Sequence, residues 1–201
     1  MPFRLVLPVR TLLAAAVLLA AIPPVTVSAA PPPCPLAADT LVAQSVGGSV
    51  YGGIMTDFLT DNPLDTGPGK TVCWWDTDTE LTVTLSRETN AFGPGGSTTP
   101  TEYAMTVFRI PDEARAEVDL LRQNGISDIQ IPTFQLTNAS GLGDSAVWVY
   151  QNDPSLNIPS AGYVVKRGAD AFLFGVIGLT EAEARPKASA FAQAVLSSQT
   201  P

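Results

Sequence analysis

The run Cys73-Trp74-Trp75 constrains the fold of this chain more than any other stretch. Residues 71–75 and 80–87 read as a pair of strands. In the second, Leu81, Val83 and Leu85 alternate with Thr82, Thr84 and Ser86, the period of a strand buried on one side. Neighbouring tryptophans in a strand point to opposite faces. A sheet with one wet face would expose one of them, whereas helices on both faces would bury both. Ala171-Phe172-Leu173-Phe174-Gly175-Val176-Ile177 makes the same demand, because no polar residue alternates through it. The expected fold is therefore α+β, a mostly antiparallel sheet flanked by helices in an α/β/α sandwich.

Residues 1–29 read as a secretory signal peptide. Arg4 and Arg10 supply positive charge, Leu12 to Ile22 is an unbroken apolar run, and Val27 and Ala29 occupy the small positions before the cut. The eleven apolar residues of that run reach only about 16 Å as a helix, half a bilayer core, so no stable membrane insertion is expected once the leader is gone. Residues 30–35 form a proline-rich linker and 36–198 one α+β domain. In an oxidising compartment Cys34 and Cys73 read as a disulfide, and neither has a base or cation beside it in sequence to make it a reactive thiol. The expected destination is the medium, the cell exterior or the cell wall.

Other elements follow from local pattern. Residues 36–46 suggest a short helix and 47–69 a glycine-rich loop. Residues 103–110, bounded by Pro111, read as a strand, and 112–124 as a surface helix with Ala114, Val118 and Leu121 in one stripe. At least one short strand is expected within 126–136, broken at Pro132, and another at 145–151. Residues 163–166 and 171–177 make a hairpin around Arg167-Gly168-Ala169-Asp170. Thr180-Glu181-Ala182-Glu183 is a capping box opening a last helix, which Pro186 should kink or restart.

The chain contains no histidine, which removes the usual general base and the commonest metal ligand. Nineteen acidic residues against 11 basic ones argue against nucleic-acid binding. Gly67-Pro68-Gly69-Lys70-Thr71 ends like a phosphate-binding loop, but Leu64 stands where that pattern needs glycine. Gly143-Asp144-Ser145 has the look of a hydrolase nucleophile turn without the imidazole to activate it, and no spacing offers Lys70, Lys166 or Lys187 in its place. Asp76, Asp78 and Glu80 alternate and could present oxygens to a cation, yet they lack the glycine and ligand number of a calcium loop. Asn138-Ala139-Ser140 matches a glycosylation acceptor. Trp75, Trp148, Tyr150, Tyr103 and Phe108 are core aromatics in the plainer reading. If one sheet face lacks full helical cover, they are the candidates to line an apolar ligand pocket.

Cys34-Pro35-Leu36 at the mature start, Cys73-Trp74-Trp75, and Leu142-Gly143-Asp144-Ser145-Ala146 before a strand resemble the layout of small exported actinobacterial proteins, many of them lipoproteins of unassigned function. A glycine-flanked hairpin and an alanine-rich last helix complete the likeness. It implies an α/β/α sandwich like that of the photosystem PsbP proteins or of extracellular sensor domains, a bridged cysteine pair and no enzyme activity. Pro31-Pro32-Pro33 before Cys34 departs from a lipid-attachment signal, so tethering is not implied. Together these readings predict an exported, non-catalytic binding module without cofactor or metal, holding a small apolar ligand or an envelope protein. A histidine-free hydrolase and a structural or antigenic surface protein are the alternatives.

Overall fold

The computed structural model describes residues 31–55, 67–108, 112–125, 133–153 and 158–199. The leader, the start of the linker and Pro132 lie outside these residues. The described strands are β1 (Val50–Ile54), β2 (Lys70–Thr77), β3 (Thr82–Glu88), β4 (Thr133–Ala139), β5 (Ser145–Asp153), β6 (Ile158–Arg167) and β7 (Asp170–Ile177). They form one seven-stranded sheet in the order β1-β2-β3-β7-β6-β5-β4, with every neighbouring pair antiparallel. Four helices accompany it among the described residues: α1 (Asp39–Val46), α2 (Pro100–Phe108), α3 (Asp112–Gln123) and α4 (Glu181–Ser198). The class is α+β, as expected from the sequence.

Register assigns every inward side chain. One face carries Cys73, Trp75, Val83, Leu85, Phe174, Val176, Tyr163, Val165, Ala146 and Trp148, and α1 and α4 lie across it. Ala184, Ala188, Phe191, Ala192 and Val195 supply the buried stripe of α4. The small alanines let this helix approach the sheet closely, and Phe191 fills the remaining space edge-on to both Trp75 and Phe174. Lys187 on α4 donates to the Val46 carbonyl at the end of α1. Thr180 and Glu183 do form the box at the start of α4, the Thr180 N–H and hydroxyl both reaching the Glu183 carboxylate at 3.2 and 2.6 Å. The helix runs on through Pro186 as a single element.

The disulfide joins Cys34 to Cys73, fastening the segment before α1 to the middle of β2. Pro32 then lies along the outer edge of β1, its carbonyl accepting the Ile54 N–H at 2.9 Å.

Among the described residues the opposite face is only half covered. α2 sits over β4, β5 and β6, where Tyr103 and Ala104 meet Val147, Val149, Val164 and Ala171, with Phe92, Leu136 and Leu173 at the margin. Trp75 is fully buried on the first face, but Trp74 is half-buried, because α2 does not extend over β1 and β2. The same asymmetry runs along β7, where Phe172, Phe174 and Val176 are buried and Leu173, Gly175 and Ile177 are half-buried.

Two sequence expectations are corrected here. Residues 103–110 are not a strand: 103–108 belong to α2, and 109–110 lie outside the described residues. The β-branched and aromatic content is overruled by the start signal, since Pro100 opens the helix and the Thr99 hydroxyl accepts the Glu102 N–H at 3.1 Å. Glu102 in turn accepts the Thr98 N–H and hydroxyl, both at 2.7 Å. Residues 47–69 are not all loop, because Val50–Ile54 forms edge strand β1. Gly52 sits opposite Trp75, where a Cβ would run into the Trp74 carbonyl, so glycine there serves a close strand approach.

Candidate functional site

On the half-covered face, the sheet and Phe108 at the end of α2 line a cavity of about 330 Å³. Its position follows from register. The row Trp74–Thr84–Gly175–Gly162–Val149–Leu136 crosses the sheet from β2 to β4, and its two central members have no side chain. Gly162 and Gly175 are direct cross-strand partners on the central strands β6 and β7. Glycine weakens a strand, so a facing pair in mid-sheet costs stability and leaves a trough in the floor. The trough is one row wide, bordered by Ile177 and Ser160 on one side and Leu173 and Val164 on the other.

Phe108, at the last position of α2, forms a wall of the cavity beside this floor. The polar groups at the lining are few: the hydroxyls of Thr84, Ser86 and Ser160, the Gln151 amide, and Lys70 at one end. An apolar chamber with a handful of placed polar groups is the usual construction of a small-molecule site.

Helix α2 is held beside the cavity by Tyr103, whose hydroxyl donates to the Glu88 carboxylate on β3 at 2.6 Å. Burial first, and then the bond to Glu88 and its charge, raise the Tyr103 hydroxyl above its ordinary pKa of 10.0. Phe92 packs against Tyr103 at 5.6 Å, and the Lys166 ammonium stands 5.1 Å from the Phe92 ring.

Of the five aromatics expected to line a pocket, Phe108 alone is in the wall. Trp75 and Trp148 lie on the other face beneath the α1–α4 layer, Tyr150 is half-buried on that same face, and Tyr103 anchors α2. The glycine pair has no signature in sequence, because each glycine looks ordinary until register brings the two together.

The remaining motifs have structural employment. Asp144 of Gly143-Asp144-Ser145 accepts the Gly168 N–H at 2.7 Å, tying that turn to the β6–β7 hairpin. Asp76 accepts the Thr82 hydroxyl at 2.6 Å, while Asp78 accepts the Ser49 N–H at 3.2 Å. Among the described residues no group of three or more acidic or cysteine side chains is placed to hold a metal ion. Gly67-Pro68-Gly69 leads into β2 and not into a helix.

A second, more open depression of about 550 Å³ lies at the opposite face beside Pro35 and Phe172, with Arg87 and Arg167 in its wall. Both arginines hold the fold together there. Arg87 binds Asp170 through Nε and Nη2 at 2.9 and 2.6 Å. Arg167 donates to the Leu196 and Gln199 carbonyls at the end of α4, both at 2.6 Å.

No protein-family model matches the sequence, and neither does any curated protein. Among solved structures, the extracellular domain of PknH from Mycobacterium tuberculosis aligns over 80% of this chain and 92% of that one, at 12% identity and a TM-score of 0.39. A likeness that slight assigns neither a family nor a function.

Proposed function

We propose that this is an exported, non-catalytic binding module whose ligand is a small, largely apolar molecule seated between α2 and the Gly162–Gly175 floor. The cavity carries the reading: two glycines weaken the centre of the sheet to open it, and a helix anchored by Tyr103 ends at its wall with Phe108. A cysteine bridge and a sequence without histidine agree with an extracytoplasmic protein that works by shape and not by bond-making. Its place is the medium or the cell wall.

The test is titration of the purified protein with the neutral fluorophore 1-N-phenylnaphthylamine. Saturable, one-to-one enhancement, weakened at least tenfold by Ile177→Trp at the cavity rim, is the expected result. Absence of binding, together with a native mass spectrum free of bound small molecules, would sink the proposal.

A further inference from the structure

We infer that the ligand lays a flat, neutral ring on the bare backbone of Gly162 and Gly175 and turns one oxygen toward the Thr84 and Ser86 hydroxyls. This rests on the cavity being a ligand site. It adds the shape of the ligand and the place of its polar group.

The floor is the first observation. Ala161 and Tyr163 on β6 and Phe174 on β7 border the cavity, although their side chains belong to the core on the other face of the sheet. They reach the cavity through their main chain, which Gly162 and Gly175 have no side chain to cover. β6 and β7 are paired on both sides, so the amides of this surface are engaged in the ladders and ask nothing polar of what lies on them. Glycine in mid-strand allows a ligand to approach the backbone closely. The bordering rows stand two residues away on either side, about 7 Å, and once their side chains have taken their own thickness roughly the width of one aromatic ring is left. From Thr84 to Val149 the glycine row spans three strand spacings, about 14 Å, which accommodates one or two fused rings lying flat. Between β3 and β5 this row and the two beside it hold no charged side chain, so a neutral ring suits them.

The hydroxyls are the second. Thr84 and Ser86 stand two residues apart on β3, opposite Gly175 and Leu173, and both line the cavity. Among the described residues neither hydroxyl meets a hydrogen-bond partner. Ser86 is nonetheless buried, and the other buried polar residue, Thr77, is fully engaged, its hydroxyl accepting the Leu81 N–H at 3.0 Å and meeting the Thr79 hydroxyl at 2.9 Å. The Thr84 hydroxyl leans over Gly175, into the space that a Cβ there would take. Each hydroxyl can donate and accept, so one oxygen on the ligand satisfies what an all-hydrocarbon ligand would leave dry and unpaired.

The experiment sets 2-naphthol, naphthalene and 1-decanol, equal in carbon number and uncharged at neutral pH, as competitors for bound 1-N-phenylnaphthylamine. Decanol is the more hydrophobic of the two hydroxyl compounds, so simple partitioning would rank it first. 2-Naphthol should instead displace the fluorophore at a concentration at least tenfold below decanol and about fivefold below naphthalene, the second ratio being one hydrogen bond net of water. Thr84→Val combined with Ser86→Ala should bring 2-naphthol to within twofold of naphthalene, with naphthalene and decanol unaffected, and Thr84→Ser should preserve the advantage. Gly175→Ala should weaken 2-naphthol at least tenfold and decanol less than threefold, because a chain bends around a methyl group that lifts a ring; the atom in the way of that methyl is the movable Thr84 hydroxyl. Should that variant fail to fold, the ranking of the three competitors on the unaltered protein decides. Decanol competing as well as 2-naphthol overturns the ring. Equal competition by 2-naphthol and naphthalene, or an advantage that survives loss of both hydroxyls, overturns the place of the oxygen. Either result leaves the ligand site standing, whereas failure of the fluorophore to bind at all removes the site itself.

Discussion

Trp148 donates its indole N–H to the Glu181 carboxylate at 3.0 Å, and Glu181 is the first residue of the helix that lies over that tryptophan. Trp75 does the same toward Asp39, at 2.8 Å, and Asp39 is the first residue of α1. Each carboxylate thereby meets two needs. It sits at the positive end of a helix, and it satisfies a donor that burial would otherwise leave unpaired. Arg185, one turn into α4, pairs with Glu181 at 3.0 Å and stands 4.8 Å from the centre of the Trp148 ring. Helices are thus positioned on the sheet by tryptophan N–H groups as well as by apolar area.

Glu181→Ala should therefore cost more than a surface glutamate. Losing a charged acceptor for a buried indole predicts about 1–3 kcal/mol. A double-mutant cycle with Trp148→Phe, read by urea denaturation, should give a coupling energy well above zero. Strict additivity would show that the bond contributes nothing.

Phe191→Ala removes the ring wedged between Trp75 and Phe174, at 6.2 and 5.6 Å. The residue is fully buried, so a loss of about 3–5 kcal/mol is expected, with a fall in Tm of very roughly 10 °C. A change below 1 kcal/mol would mean that α4 is not seated on the sheet as described.

Replacing Cys34 and Cys73 together by serine opens a covalent loop of sequence separation 39. The chain-entropy estimate for such a loop is about 4 kcal/mol. Thermal melts of this variant and of the reduced native protein should coincide, below the melt of the native protein without reductant.

Alkaline stability should depend on Tyr103. Its folded pKa is raised, chiefly by burial and then by Glu88, so the folded chain keeps a proton that the unfolded chain releases. The contribution is complete below the ordinary value of 10.0 and declines as pH rises beyond it. Tyr163 is also raised, principally by burial. Tyr103→Phe should consequently lessen, without abolishing, the loss of stability between pH 8 and 11 in chemical denaturation.

Acid acts with the opposite sign. The Thr180 hydroxyl, its backbone N–H and then Lys187 hold the Glu183 carboxyl below its ordinary value of 4.5. Glu102 is lowered likewise, first by the Thr98 side chain and then by the Thr98 and Thr99 backbone. Such stabilisation is complete above the ordinary value and drains away as pH falls through the lowered one. Glu183→Gln should flatten the acid limb of a Tm-versus-pH curve between pH 3 and 6. An unaltered limb would show that the box has no energetic role.

The legible parts of this fold were those fixed by short-range rules. Leu81, Val83 and Leu85 alternate because β3 buries one face, and Thr180 and Glu183 cap because their spacing returns the carboxylate to the Thr180 N–H. Tyr103 to Phe108 misled because strand-favouring side chains sit in a helix that starts with Thr99-Pro100-Thr101-Glu102, where the Thr99 hydroxyl accepts the Glu102 N–H and the Glu102 carboxylate holds Thr98. The cavity had no local signature. Its floor exists only because antiparallel pairing brings Gly162 opposite Gly175, a fact of register that neither glycine carries in its neighbours.

The bridge between Cys34 and β2 also determines what a protease can accomplish. A clip at Pro35 or Leu36 would sever the backbone without freeing the amino-terminal piece, which sulfur keeps on the sheet with the Pro32 carbonyl still on Ile54. Release would require reduction as well as cleavage, so a nicked molecule would run as one species under non-reducing electrophoresis and shed its short end only after thiol treatment.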